Sequence, residues 1–281
     1  MVSMNPVAAR EPSQPAPRKL AGSDRMLSVL RSLGDYPRGV GLDQLARDTD
    51  IPKSSLHRAL AALCRARLAD HDERGRYRLG LEFVRLAFTY YERLDRRQVV
   101  EPLLQSLAER FGETAHYAEL DRAEVVYLAK MTPPGPGAQM TSIVGGRNPA
   151  HCTGLGKALL AYELVDAEAV EGYATTNGPL VQRTPNTLVD ARALAANLEL
   201  VRARGYALDA EESEQGINCI AFPLFLDYPT RPSGAVSVAA LAHRTALAEL
   251  EQAAGEVRDM IERTLGTVTR GSSPTRALVS R

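Results

Sequence analysis

Nowhere in this chain of 281 residues does an apolar run approach the roughly 20 residues that span a bilayer. That excludes a membrane-spanning helix. The stretch Met1–Pro17 is rich in Pro, Ala and Ser but lacks the apolar core of a signal peptide, so a cytoplasmic protein is expected. Cysteine is scarce: Cys64, Cys152 and Cys219 are odd in number, far apart and form no CxxC, which reads as reduced thiols and not a disulfide framework. Net charge is missing too, since 34 Lys and Arg balance 34 Asp and Glu, and this argues against a protein that coats nucleic acid without specificity. No internal repeat is present.

What is present is a soluble globular composition, 44% hydrophobic and 24% charged, in a chain long enough for two cores. The charge is unevenly placed. Residues 1–80 hold 14 Lys and Arg against 9 Asp and Glu, so they stand near +5 and the remainder is negative by as much. A basic front end on an acidic body fits one DNA-facing domain joined to one with another task.

The stretch Ile51–Leu60 is the most suggestive. Proline suits the first turn of a helix, so a helix is expected from Pro52, with Leu56, Leu60 and Leu63 as its buried stripe. Its other face offers Lys53, Ser54, Ser55, His57 and Arg58, a donor set for phosphates and for guanine in a major groove. Taken alone, this decamer reads equally as an ordinary amphipathic surface helix. Its surroundings favour DNA. Ser23 can cap a first helix carrying Met26, Leu27, Leu30 and Leu33, stopped at Gly34. A short helix with Leu42, Leu45 and Ala46 follows Gly41, then a turn over Arg47–Ile51, which completes a helix-turn-helix. After it, Leu68–Leu79 looks like two short strands around a polar turn, a wing with Arg74, Arg76 and Arg78 available to phosphates.

Further along, helices are expected at Leu81–Asp95 (a connector) and Val99–Phe111, with strands at Thr114–Leu120 and Val125–Met131 and a loop over Thr132–Gly137. Gly154–Tyr162 reads as a helix capped by Thr153, and Ala191–Arg204 as another ending at Gly205. Strands at Tyr206–Ala210, Ile217–Leu226 and Gly234–Leu241 and one helix from Thr245 to Leu265 complete the reading.

The segment Asp43–Leu60 with Arg76-Tyr77-Arg78-Leu79-Gly80 resembles the IclR family of bacterial transcription regulators. The family has Thr where Ser55 stands and more often Gly where Asp50 stands; Asp tolerates a left-handed turn. The resemblance extends to Gly145–Ala161, to Gly205–Glu212 and to Gly216–Pro223, and so covers about residues 20–268. It implies an α+β chain: a disordered arm at 1–20, a winged helix-turn-helix at 21–80, a linker helix at 81–96, a GAF/PAS-like effector-binding domain with an antiparallel sheet at 97–268, and a flexible tail at 269–281. It implies double-stranded DNA with a pseudo-palindromic operator as one partner, a small organic acid or related metabolite as effector, and a homodimer or dimer of dimers. The output would be control of a catabolic or transport operon, as a repressor or as an activator, with no cofactor.

Effector contacts are expected from Thr153, Gly154 and Leu155, because exposed N–H groups at a helix start suit an anion and glycine admits close approach. The family pattern adds Asp209, Cys219 and Ser237. Where the family often reads Ser-Val-Ser-Gly-Pro, this chain has Ser237-Val238-Ala239-Ala240-Leu241, one hydroxyl fewer, so its ligand is expected to be more apolar or to be held by one fewer hydrogen bond. His116, Tyr117 and Tyr127 could also face the pocket or simply pack. The competing reading is a metal-dependent or Cys-based enzyme fused to a DNA-binding module. Neither metal-ligand spacing among His116, His151, Cys152 and Cys219 nor a nucleophile turn around Cys152 or Cys219 with His151 and Asp209 supports it.

Overall fold

The computed structural model describes residues 22–92, 95–133 and 141–266. The arm expected at 1–20 and the tail at 269–281 lie outside them. The chain divides into two compact units, Met1–Arg93 and Leu94–Arg281.

The first unit strings together α1 (Gly22–Leu33), β1 (Val40–Gly41), α2 (Leu42–Thr49), α3 (Lys53–Arg65), β2 (Ala69–His71), β3 (Arg76–Leu79) and α4 (Leu81–Glu92). Apolar residues at helical spacing decide the packing. Val29 and Leu33, Leu45, and Leu56, Leu60 and Leu63 turn inward from three helices into one core closed by Val40 and Ala69. Burying side chains of this size is worth about 1.5–3 kcal/mol each, which is what holds so small a unit together. Asp50 adopts φ 51 as the left-handed cap between α2 and α3, so aspartate does replace the commoner glycine there. The wing forms, with β2 and β3 antiparallel and Asp70 opposite Arg78. A third strand, β1, pairs Val40 with Tyr77 and was not foreseen, being only two residues long. Two boundaries are corrected. Ser23 lies inside α1 and does not precede it. Pro52, with ψ 136, is the residue before α3, its carbonyl accepting the N–H groups of Ser55 and Leu56.

The second unit contains α5 (Asp95–Phe111), β4 (Thr114–Asp121), β5 (Glu124–Met131), β6 (Arg147–Pro149), a 3-10 turn at Ala150–Cys152, α6 (Gly154–Glu163), α7 (Ala167–Asn177), α8 (Ala191–Arg204), β7 (Ala207–Ala210), β8 (Ile217–Leu224), β9 (Gly234–Leu241), α9 (Leu247–Gln252) and α10 (Ala254–Leu265). Its sheet runs β6-β5-β4-β9-β8-β7 with every neighbour antiparallel. Both faces are covered. Along β8, Cys219 and Ala221 face α6 and α8, while Ile220 and Phe222 face α5 and α10. Alternate residues thus serve two cores, which is why the strand reads as an unbroken apolar run.

The helix expected at Leu81–Asp95 is described as Leu81–Glu92, and the next is already helical at Asp95, ahead of the expected Val99, with Pro102 inside it. The expected single final helix is two, broken at Ala253. Strand β6 and helix α7 were unforeseen.

Candidate functional site

On the first unit, α3 buries Leu56, Ala59, Leu60 and Leu63 and exposes Lys53, Ser54, His57 and Arg58. Arg58 and His57 make no ion pair among the described residues and stand free on the outer face. Lys53 Nζ lies 2.7 Å from Asp43 Oδ1, an exposed pair worth little, so a phosphate can replace the carboxylate. Ser55 is half-buried, its hydroxyl accepting from Arg25 Nη1 at 3.0 Å, which turns it towards α1 and leaves its O–H able to donate to a ligand. In the wing, Arg76 is engaged by Asp72 through both Nε and Nη2 at 2.9 Å. The same carboxylate takes the N–H groups of Arg74 and Arg76 and so shapes the turn. The Arg74 side chain extends from that turn exposed and with no ion pair among the described residues.

On the second unit, Thr153, Gly154, Leu155, Asp209, Cys219 and Ser237 all line one cavity of about 50 Å3. Sheet register explains the convergence. Asp209 pairs with Cys219 across β7 and β8, and Cys219 with Ala239 across β8 and β9, so these side chains stand on the α6 side of the sheet. His116 and Tyr127 join them, with rings 5.4 Å apart edge to face. Tyr117 does not: it points through the other face, its hydroxyl donating to Glu119 at 2.8 Å.

Thr153 caps α6, Oγ1 accepting the Gly156 N–H at 3.0 Å. The N–H groups of a helix's first turn have no intrahelical acceptor, and those of Gly154 and Leu155 belong to residues of the cavity wall. The glycines also answer to packing. A Cβ on Gly154 would meet Cys219 Sγ at 3.0 Å, and one on Gly156 would meet Ala150 O at 2.1 Å. Gly154 thus lets α6 sit close on the sheet, and Gly156 lets it sit close on the 3-10 turn at Ala150.

Burial sets the protonation of the wall. Asp209 is pushed up to about 7 by desolvation, against the pull of nearby Lys157, while Oδ1 accepts from Glu212 N at 2.7 Å. His116 is driven down to about 3 by burial and by Lys130, so it is neutral, its Nε2 2.8 Å from Ser142 Oγ. Burial raises the Cys219 thiol strongly and Cys152 to about 12, the opposite of an activated nucleophile. Ser237 Oγ is buried against Cys219 without a hydrogen-bond partner of sound geometry among the described residues. Beside the cavity, fully buried Lys157 pairs with Glu212 and ties α6 to the turn after β7. His151 Nε2 donates to Val181 O, 3.1 Å away and outside this cavity, and no set of three metal-capable side chains is found among the described residues.

Comparison with known proteins decides the lineage. Residues 88–264 match the family model for the bacterial transcriptional regulator IclR C-terminal domain, and residues 23–73 match the IclR helix-turn-helix domain. The chain belongs to the IclR family of transcriptional regulators. An IclR-family relative, the regulator XynR of Escherichia coli, is 34% identical over 232 residues, covering 81% of this chain and 88% of XynR. The IclR structure from Thermotoga maritima superposes with a TM-score of 0.63 at 27% identity, covering 86% of this chain and 97% of that one. An IclR homologue from Microbacterium hydrocarbonoxydans, solved with 4-hydroxybenzoate, shares the fold with a TM-score of 0.66 at 23% identity, covering 85% and 99%.

Thr141, Ser142, Asn148, Ser213, Glu214 and Ile217 also line the cavity and were not anticipated, and Ala239 lines it where the missing hydroxyl was noted. Thr141 and Ser142 lie between β5 and β6 and carry no pattern of their own. Asn148 sits on the edge strand β6, its amide donating to the Tyr127 hydroxyl at 3.2 Å. Ile217 was open to sequence reasoning, because it stands two residues from Cys219 on the same strand.

Proposed function

We propose that this chain is a cytoplasmic, homodimeric or dimer-of-dimers regulator that binds a pseudo-palindromic operator and yields to a small organic acid. In this reading residues 21–80 form the DNA-binding module, 81–96 the connector and 97–268 the effector domain. Recognition falls to α3: Arg58 and His57 read base edges, Lys53, Ser54 and Ser55 take phosphates, and Arg74 and Arg76 of the wing grip the flanking backbone. The single observation that carries the effector assignment is the meeting of six residues, from a helix start and three strands, at one cavity. The donors there suit a carboxylate: two helix-start N–H groups, the idle Ser237 hydroxyl and a carboxyl at Asp209 that is protonated for half its population near pH 7. A homologue of this fold was solved with 4-hydroxybenzoate, which supports an acid of that class. A cavity of about 50 Å3 is smaller than such a ligand, so binding displaces the loop at Thr141 and Ser142. The raised thiols and the family's regulatory relatives favour a regulator that is not an enzyme.

A thermal-shift screen against small carboxylic acids tests this reading, because a ligand that binds only the folded state raises the melting temperature. A hit that no longer stabilises the Ser237→Ala protein supports it. A set of acids that bind wild type and variant equally, or none that bind, contradicts it.

A further inference from the structure

We infer that Arg96 is a positioning residue that carries the state of the effector cavity to the start of α5; the inference rests on the effector reading above. Arg96 lies in the first turn of α5 and grips two other elements. Nη1 is 3.1 Å from Glu119 Oε1 at the end of β4, and Nη2 is 2.6 Å from Asp227 Oδ2 in the turn joining β8 to β9. Asp227 is itself held by Ser233, whose hydroxyl donates to Oδ2 at 2.9 Å and accepts from Asp227 N at 3.1 Å. Glu119 also accepts from the Tyr117 hydroxyl, so the guanidinium sits at the hub of a continuous polar cluster.

Both strands that meet at this hub also line the cavity. On β4, His116 faces the cavity, and its chain neighbour Tyr117 reaches Glu119. A register shift at Tyr117 and Ala118 separates the two halves of that strand, a place where a ladder can yield. On β9, Ser237 faces the cavity and Gly234 begins the strand; a Cβ on Gly234 would lie 2.5 Å from the Tyr117 hydroxyl, so the ring is wedged against the strand start. A ligand that pushes His116 and Ser237 apart therefore shifts Glu119 and the β8–β9 turn relative to each other. Arg96, holding one with each half of its fork, turns that shift into a movement of the α5 N-terminus. The helix begins at Asp95, within three residues of the boundary at Arg93 between the two units, so the first unit is attached by the chain at the point that moves. A planar guanidinium suits this role because its two ends reach different carboxylates in fixed geometry, which an ammonium cannot reproduce.

The test measures coupling apart from binding. Full-length wild type, Arg96→Gln, Arg96→Lys and Glu119→Gln are titrated with acetate, lactate, benzoate and 4-hydroxybenzoate by calorimetry. Each is then titrated with DNA from its own promoter region, with and without the acid that binds. The expected result is acid affinity within about twofold of wild type in all three variants, with the acid's effect on DNA affinity falling below twofold in Arg96→Gln and Arg96→Lys. Coupling of wild-type size in those two variants overturns the inference. A wild type whose cavity takes none of the acids overturns the effector reading and this inference with it, so the two failures are told apart.

Discussion

His116 and Ser237 are register partners, directly opposite each other on the two central strands of the effector sheet, and both line the cavity under α6. One is a neutral imidazole already bonded to Ser142, while the other is a buried hydroxyl beside the Cys219 thiol, without a hydrogen-bond partner of sound geometry among the described residues. The pair therefore differs in what a ligand can recruit: His116 must give up a contact, and Ser237 gains one.

Ser237→Ala separates function from stability. An unpaired buried hydroxyl costs the folded state on the order of 1 kcal/mol or more, so its removal leaves stability unchanged or raises it by about that amount in urea denaturation. Effector affinity falls five- to tenfold, about one net hydrogen bond. A loss of both stability and binding would mean that the hydroxyl has a protein partner.

Asp209 makes effector binding depend on pH. Its folded value of about 7 lies above the ordinary 3.8, so its contribution to stability is complete below about pH 4 and disappears as pH rises through 7. A shift of that size corresponds to a contribution on the order of 4 kcal/mol, and Asp209→Asn, which does not titrate, gains on wild type by up to that amount between pH 4 and 8. An anion bound beside this carboxyl prefers it protonated. The affinity of wild type for its acid should therefore weaken about tenfold from pH 6 to pH 8, while that of Asp209→Asn stays flat. Calorimetry at the two pH values reads both.

Lys157 and Glu212 form a buried pair whose halves cannot be removed singly. Lys157→Met alone or Glu212→Gln alone should cost about 3–5 kcal/mol by denaturation, because one charge remains buried and unpaired. The double variant Lys157→Met, Glu212→Leu should recover most of that loss. Additive losses in the double variant would contradict the pairing.

The recognition helix and its turn were legible because amphipathic spacing, Pro52 and Asp50 are local signals that packing did not override. Of the six cavity residues, Thr153, Gly154 and Leu155 were legible as a helix start, while Asp209, Cys219 and Ser237 were legible only through family motifs, because sheet register brings them together at long sequence separation. What escaped is equally physical. Strand β6 is three residues ending in Pro149, too short to alternate. Helix α7 buries only Val170 and shows no apolar stripe, although Asp166 caps it and Gly178 ends it. The break at Ala253 falls among good helix formers, with no Gly or Pro to signal it.

Arg58→Ala should lose base discrimination. Affinity for the promoter DNA falls about 10- to 100-fold while affinity for unrelated DNA changes little, as for an arginine that pairs with guanine. Lys53→Ala weakens both alike and lowers the salt slope by about one. Fluorescence anisotropy across a salt series distinguishes these outcomes; an unchanged ratio in Arg58→Ala would show that it reads no bases.

The central claim is that a ligand under α6 governs what α3 does. The direct measurement is DNA affinity of wild type and Ser237→Ala at moderate salt, with and without the acid that the thermal-shift screen selects. The account predicts a several-fold change on adding acid to wild type and a change below twofold in the variant at the same acid concentration. No change in wild type, or an equal change in both proteins, would contradict it.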